Sequence, residues 1–134
     1  MPKQTMSWIR VGQVMVLAHA KENPVPVEWN AFIAELTAHG AELTHIIVFT
    51  GGATIDSLQR SQIVDLVKKH KLTIGVATDS TMVRGVVTAL SWFGVPIKAM
   101  APDRVDELIA KVDIAESERK KVKFAMDEMK ARVI

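Results

Sequence analysis

The chain has 134 residues, enough for one domain and too few for two of ordinary size, and at this length folding buries roughly two thirds of the unfolded surface. It contains no cysteine, which excludes disulfides, thiolate metal sites, thiol nucleophiles and iron–sulfur ligation together. A hydrophobic content of 49% with 24% charged residues excludes a disordered tail, and a net charge of +2 gives no one-signed field of the kind nucleic acid selects.

In chain order, Ser7 to Arg10 and Val14 to Ala20 are rich in Trp, Ile, Val and Leu and are separated by Val11-Gly12-Gln13. A glycine that supplies a positive φ predicts an opening β-hairpin there. The run Val14 to Ala18 is too short for a membrane span or a signal-peptide core, so the expected location is the cytoplasm, with no stable membrane insertion. Asn23-Pro24-Val25-Pro26 breaks the extended pattern, and Trp29, Phe32, Ile33 and Leu36 then recur at helical spacing up to His39-Gly40. Thr44 to Phe49 carries four apolar residues in a row, as in a strand covered on both faces.

Gly51-Gly52 ends that strand, and Asp56 with Gln59 three residues later matches a capping box, opening a helix through Lys69 that buries Ile63, Leu66 and Val67. Leu72 to Ala77 is the next strand. Asp79-Ser80 can cap a third helix from about Thr81 to Phe93, stopped by Gly94-Val95-Pro96. Ile97 to Met100 is a short last strand. Pro102-Asp103 opens a helix with Val105, Leu108, Ile109 and Val112 on one face, and Asp113 interrupts it before a final charged helix from about Glu116 to Arg132. Strands joined through helices run parallel and the hairpin adds an antiparallel pair, so residues 1–134 are expected to form one α/β domain. Its sheet should be mixed and mostly parallel, covered by helices, with Ile46, Val48, Ile74 and Val76 inside.

From His45 to Val112 the chain resembles a STAS domain, the fold of anti-anti-sigma factors and of the cytoplasmic tails of sulfate transporters. The stretch IIVFTGGATIDSLQRSQIVDLVKKHKLTIGVATDS is similar to the family's strand, loop, "IDS" helix start and following strand. VRGVVTALSWFGVPIKAMAPDRVDELIA resembles its third helix, last strand and fourth helix. The likeness is nearer to STAS-like groups that also resemble lipid-binding SEC14 domains than to the sporulation regulators. In the phosphoswitch branch, an Asp is followed by two small hydroxyl residues and a Gly at the start of the second helix. Asp56 and Ser57 match the first two positions, whereas Leu58 stands at the usual phosphoacceptor and Gln59 replaces the Gly. The resemblance thus implies a non-enzymatic signalling or regulatory domain, with Ser57 as the remaining candidate for phosphorylation.

Gly51, Gly52 and Thr54 follow a strand and precede a helix, where backbone N–H groups can receive an anion, but the spacing is neither a P-loop nor a dinucleotide fingerprint. Asp56 reads first as a cap, and Ser57 and Ser61 as polar residues of the first turns. Asp79, Ser80, Thr81 and Arg84 form a second polar cluster, which parallel strands would bring to the same carboxyl end of the sheet, where ligands of open α/β sheets bind. Arg84 is out of place there, because a cation near a helix N-terminus opposes the dipole, and an anionic partner or Asp79 could offset that cost. His19, His39, His45 and His70 show no metal-ligand spacing, and neither a metal nor another cofactor is expected. Met126 and Met129 with Val122 and Val133 make a packing stripe on the final helix.

The third helix is apolar around most of its circumference. Val83, Val86, Val87, Leu90 and Phe93 form the stripe expected to face the sheet, and Met82, Gly85, Ala89 and Trp92 form a second one. That second stripe either packs within the domain, on the Met126 and Met129 face, or docks a partner or a second copy in a homodimer. The leading expectation is a non-enzymatic regulatory or scaffolding domain that contacts a protein through residues 51–61 and 79–84. The alternative is a small-ligand binder, for a nucleotide or a lipid-like molecule, at the same sheet end or in an apolar cleft, and a small hydrolase comes third.

Overall fold

A computed structural model describes residues 4–133. Met6–Val11 (β1) and Val14–His19 (β2) form the hairpin, followed by α1 (Pro26–His39), β3 (His45–Thr50), α2 (Ser57–His70), β4 (Thr73–Ala77), α3 (Thr81–Trp92) and β5 (Ile97–Met100). The chain closes with α4 (Val105–Lys111) and α5 (Glu116–Val133), and single 3-10 turns sit at Gly40–Glu42 and Pro102–Arg104. The five strands lie in the order β1-β2-β3-β4-β5, with β1 antiparallel to β2 and every later neighbour parallel. The mixed, mostly parallel α/β sheet expected from the sequence is the observed one.

Local chemistry accounts for the boundaries. Val11 pairs with Val14, leaving Gly12 and Gln13 as a two-residue turn, and Gly12 adopts the positive φ of 57° that such a turn requires. Pro26 occupies the first turn of α1, where its missing N–H costs nothing. Asp56 and Gln59 form both reciprocal bonds of the capping box at α2, and the Ser80 side chain accepts from the Val83 N–H at α3. Asp113, at φ 61°, turns the chain between α4 and α5.

Strand alternation divides the core into two layers. Val14, Val16 and Ala18 of β2 and Ile47 of β3 meet α4 and α5 on one face, where Leu108, Val122 and Met129 are fully buried. Ser7 Oγ donates to Met129 Sδ at 3.1 Å and ties the hairpin to the last helix. Met15, Leu17, Ile46, Ile74 and Val76 point to the opposite face, which α1, α2 and α3 cover. Some expected core positions differ: of the stripes expected on α2 and α3, Val67 and Val87 are buried, while Ile63, Leu66, Val83, Val86 and Leu90 are half-buried. Val48 is only half-buried, because the helices above it do not close on the sheet. Phe93 leaves the sheet-facing stripe and is 75% exposed, since it follows the last turn of α3 with φ −90° and ψ 15° and points outward.

Gly75 lets α4 come close to the sheet: a Cβ there would lie 2.7 Å from Ile47 Cδ1 and 3.3 Å from Leu108 Cγ. Gly75→Val should therefore overpack this layer and lower stability by about 1–3 kcal/mol, measured as a reduced urea midpoint with an unchanged m-value.

Candidate functional site

β3 and β4 are parallel neighbours, so the loops that leave them, residues 51–56 and 78–80, emerge at the same end of the sheet. The predicted residues of both clusters therefore do come together. Most of their polar atoms organise the loops themselves. Thr54 donates from its N–H and its hydroxyl to Asn23 Oδ1, at 2.8 and 3.3 Å, which fastens the loop to the segment before α1. Asp56 is occupied as the α2 cap, at 2.8 Å from the Gln59 N–H. Gly51, Ser57, Ser61, Asp79 and Thr81 remain exposed, and Gly52 and Ser80 are half-buried. Arg84 does not turn to Asp79; its Nη2 donates to the Thr78 carbonyl at 3.2 Å, so a strand-end carbonyl offsets its position near the helix N-terminus.

Beneath these loops runs an apolar cleft of about 310 Å³ between α2, α3 and the sheet. Leu17, Ile46, Val48 and Val76 of the sheet line it, as do Trp29 and Phe32 of α1, Ile63 of α2 and Val86 of α3. His19, Thr50, Thr54 and Arg60 are its polar lining. His19 and Thr50 are register partners at the carboxyl ends of β2 and β3. The His19 ring is 8% exposed, and its Nδ1 is buried without a hydrogen-bond partner among the described residues. Burial lowers its pKa to about 4, because the charged ring would lose its hydration. Among the described residues, Arg60 is the only charged one lining the cleft; its Nη1 donates to the Ile55 carbonyl at 3.0 Å, and no carboxylate of theirs lies within ion-pair distance.

Neither Arg60 nor His19 stood out in the sequence, although signals existed. Arg60 is a cation in a helical first turn, the feature that singles out Arg84. His19 continues the buried alternation of Met15 and Leu17 to the carboxyl end of its strand. On the far side of α3, Arg84, Thr88 and Ser91 line a groove of about 360 Å³ together with Lys98 of the edge strand β5 and Lys111 of α4, and no acidic residue among the described ones lines it. Between the two depressions lies the second apolar stripe of α3. It does not pack on Met126 and Met129, which sit across the sheet; Met82 and Trp92 are 69% and 80% exposed and Gly85 is exposed beside them. No helix among the described residues is long and apolar enough to cross a membrane. Comparison with known protein families and with curated proteins finds no match to this chain.

Two stability outcomes follow from this geometry. His19 titrates near 6.5 when unfolded and near 4 when folded, so its contribution is fully present above pH 6.5 and is lost as pH falls toward 4, roughly 3 kcal/mol over that window. His19→Leu should flatten the decline of the urea midpoint between pH 7 and pH 4.5 relative to the wild type, in parallel titrations. Asp56→Ala should lower stability by about 0.5–2 kcal/mol through loss of the cap, whereas Ser57→Ala should stay within about 0.5 kcal/mol.

Proposed function

We propose that this protein is a non-enzymatic binding domain of the STAS type that docks a partner protein on the crest of α3. The observation that carries this reading is the uncovered stripe of Met82, Gly85 and Trp92. A large aromatic anchor beside a residue with no side chain suits close docking of another backbone, and Trp is the residue type most enriched at interface hot spots. Arg84, Lys98 and Lys111 flank the stripe without an acidic residue among them, which favours a partner with an apolar pocket rimmed by carboxylates. The same charges disfavour a homodimer, since a two-fold contact centred on Gly85 would bring the Arg84 side chains of both copies together. Contact through the loops at 51–57 and 79–81 continues this surface at the carboxyl end of the sheet, and a phosphate on the exposed Ser57 would act there by adding charge.

Retention of proteins from the native host on wild-type, Trp92→Glu and Lys98→Glu forms, followed by reconstitution of the retained component from pure proteins, tests the proposal. Trp92→Glu should weaken the reconstituted complex by about thirtyfold or more without lowering the melting temperature, and Lys98→Glu should weaken it chiefly at low salt. A complex indifferent to both substitutions would move the interface elsewhere. A dimer of the pure wild type that Trp92→Glu dissolves would replace the partner with a second copy.

A further inference from the structure

We infer that the cleft between α2 and α3 is a binding site for an amphipathic monocarboxylate, its alkyl chain on the sheet and its carboxylate between Arg60 and His19. Three independent features of the molecule converge on that chemistry.

The first is the shape and lining of the cleft. Its 310 Å³ lies at the small end of ligand pockets, and its walls are aliphatic along the length of α3 from Val83 to Leu90. Apolar walls kept apart forgo the dispersion contacts that closure would bring, and they favour an occupant that restores them. At about 30 Å³ for each water-sized group, the space accepts a chain of roughly eight to twelve carbons and excludes a diacyl lipid.

The second is the position of Arg60. One guanidinium N–H holds the Ile55 carbonyl, which fixes the side chain at the cleft end, and four of its five donors remain. The planar fork matches a carboxylate, and no acidic side chain lining the cleft competes for it. A neutral head such as an alcohol would leave the cation unpaired, and an amine would be repelled.

The third is His19, a buried ring that lines the cleft and whose Nδ1 has no hydrogen-bond partner among the described residues. A neutral imidazole carries one donor and one acceptor, and a buried nitrogen without a partner is costly unless something binds it. With the proton on the ring nitrogen turned toward the cleft, His19 can donate to the second carboxylate oxygen while Arg60 holds the first. Thr50, opposite His19 in the sheet register, directs its own hydroxyl to the Ala53 carbonyl at 3.3 Å and so does not fill that role.

The test uses the full chain with decanoate, held below its micellar concentration, and decanol as the uncharged control, followed by thermal melting and methyl NMR. Decanoate should raise the melting temperature and shift the methyl signals of Val48, Ile63 and Val86. Arg60→Gln should weaken decanoate about tenfold or more and leave decanol nearly unchanged, and Val86→Trp, which fills the cleft, should abolish binding of both. If Val86→Trp fails to fold, intermolecular NOEs from the decanoate chain to the Ile63 and Val48 methyls in the wild type serve the same purpose. Absence of any methyl shift, or equal decanoate affinity in Arg60→Gln, would each overturn the assignment.

Discussion

All six side chains of β2 are buried, and the two halves of the core meet on that strand. Val14, Val16 and Ala18 supply one layer, and Met15, Leu17 and His19 the other. Full burial of one large aliphatic side chain is worth about 1.5–3 kcal/mol, so this strand alone holds an appreciable part of what stabilises a domain of this size. A one-residue slip of its register would exchange the two layers, placing the His19 imidazole among the methionines of α5 and Ala18 at the cleft. The hairpin turn at Gly12 and the pairing with β3 prevent that slip, and so the position of the cleft depends on them.

The two faces of the sheet are filled to different degrees. On the face of α4 and α5, Gly75 and Ser7 are small enough for close approach, and the methionines of α5 fill what remains, so that Val122, Met126 and Met129 are all buried. On the other face, α1 closes with Trp29 and Phe32 in aromatic contact, their centroids 6.1 Å apart, and the Trp29 Nε1 donates to Gln62 of α2 at 2.8 Å. That bond joins α1 to α2, while α3 packs toward β5, with Val87 of the helix and Val95 of the connection that follows both buried. The helices are thus drawn toward opposite edges of the same face of the sheet, and the space between α2 and α3 follows from where each is held.

Much of this was legible in the sequence, because it rests on short-range chemistry. The hairpin, the three parallel connections, the capping box at Asp56 and the cap at Ser80 all depend on residues within a few positions of one another. The span Ile97–Met100 agrees to the residue. The two stripes of α3 were legible as patterns, but whether the second was covered depended on which side of the sheet α5 returns to, which no local pattern records. Val48 and Phe93 deviate for the same reason, since alternation and helical spacing give the direction of a side chain and not what lies above it. Asn23, Arg60 and His19 needed long-range contacts to be noticed: Asn23 meets Thr54, which is 31 residues away.

The helix starts share a geometry that explains why two cations are tolerated there. Side chains of a helix lean toward its N-terminus, so a residue at the fourth position reaches back over the first turn to the chain that precedes the cap. Arg60 holds that position in α2 and Arg84 in α3, and their guanidiniums donate to the carbonyls of Ile55 and Thr78, which lie before the respective caps. Each cation therefore rests on an oriented carbonyl dipole, which offsets part of the 0.3–1 kcal/mol typical of an unfavourable helix-dipole contact. The second position of the same helices points outward instead, and there Leu58 and Met82 are exposed, as is Val27 at the second position of α1. Because the strands between them are parallel, the three starts stand side by side at one end of the sheet. That end thus presents apolar side chains outward and fixed guanidiniums behind them, with one guanidinium facing the cleft and the other the groove beside β5.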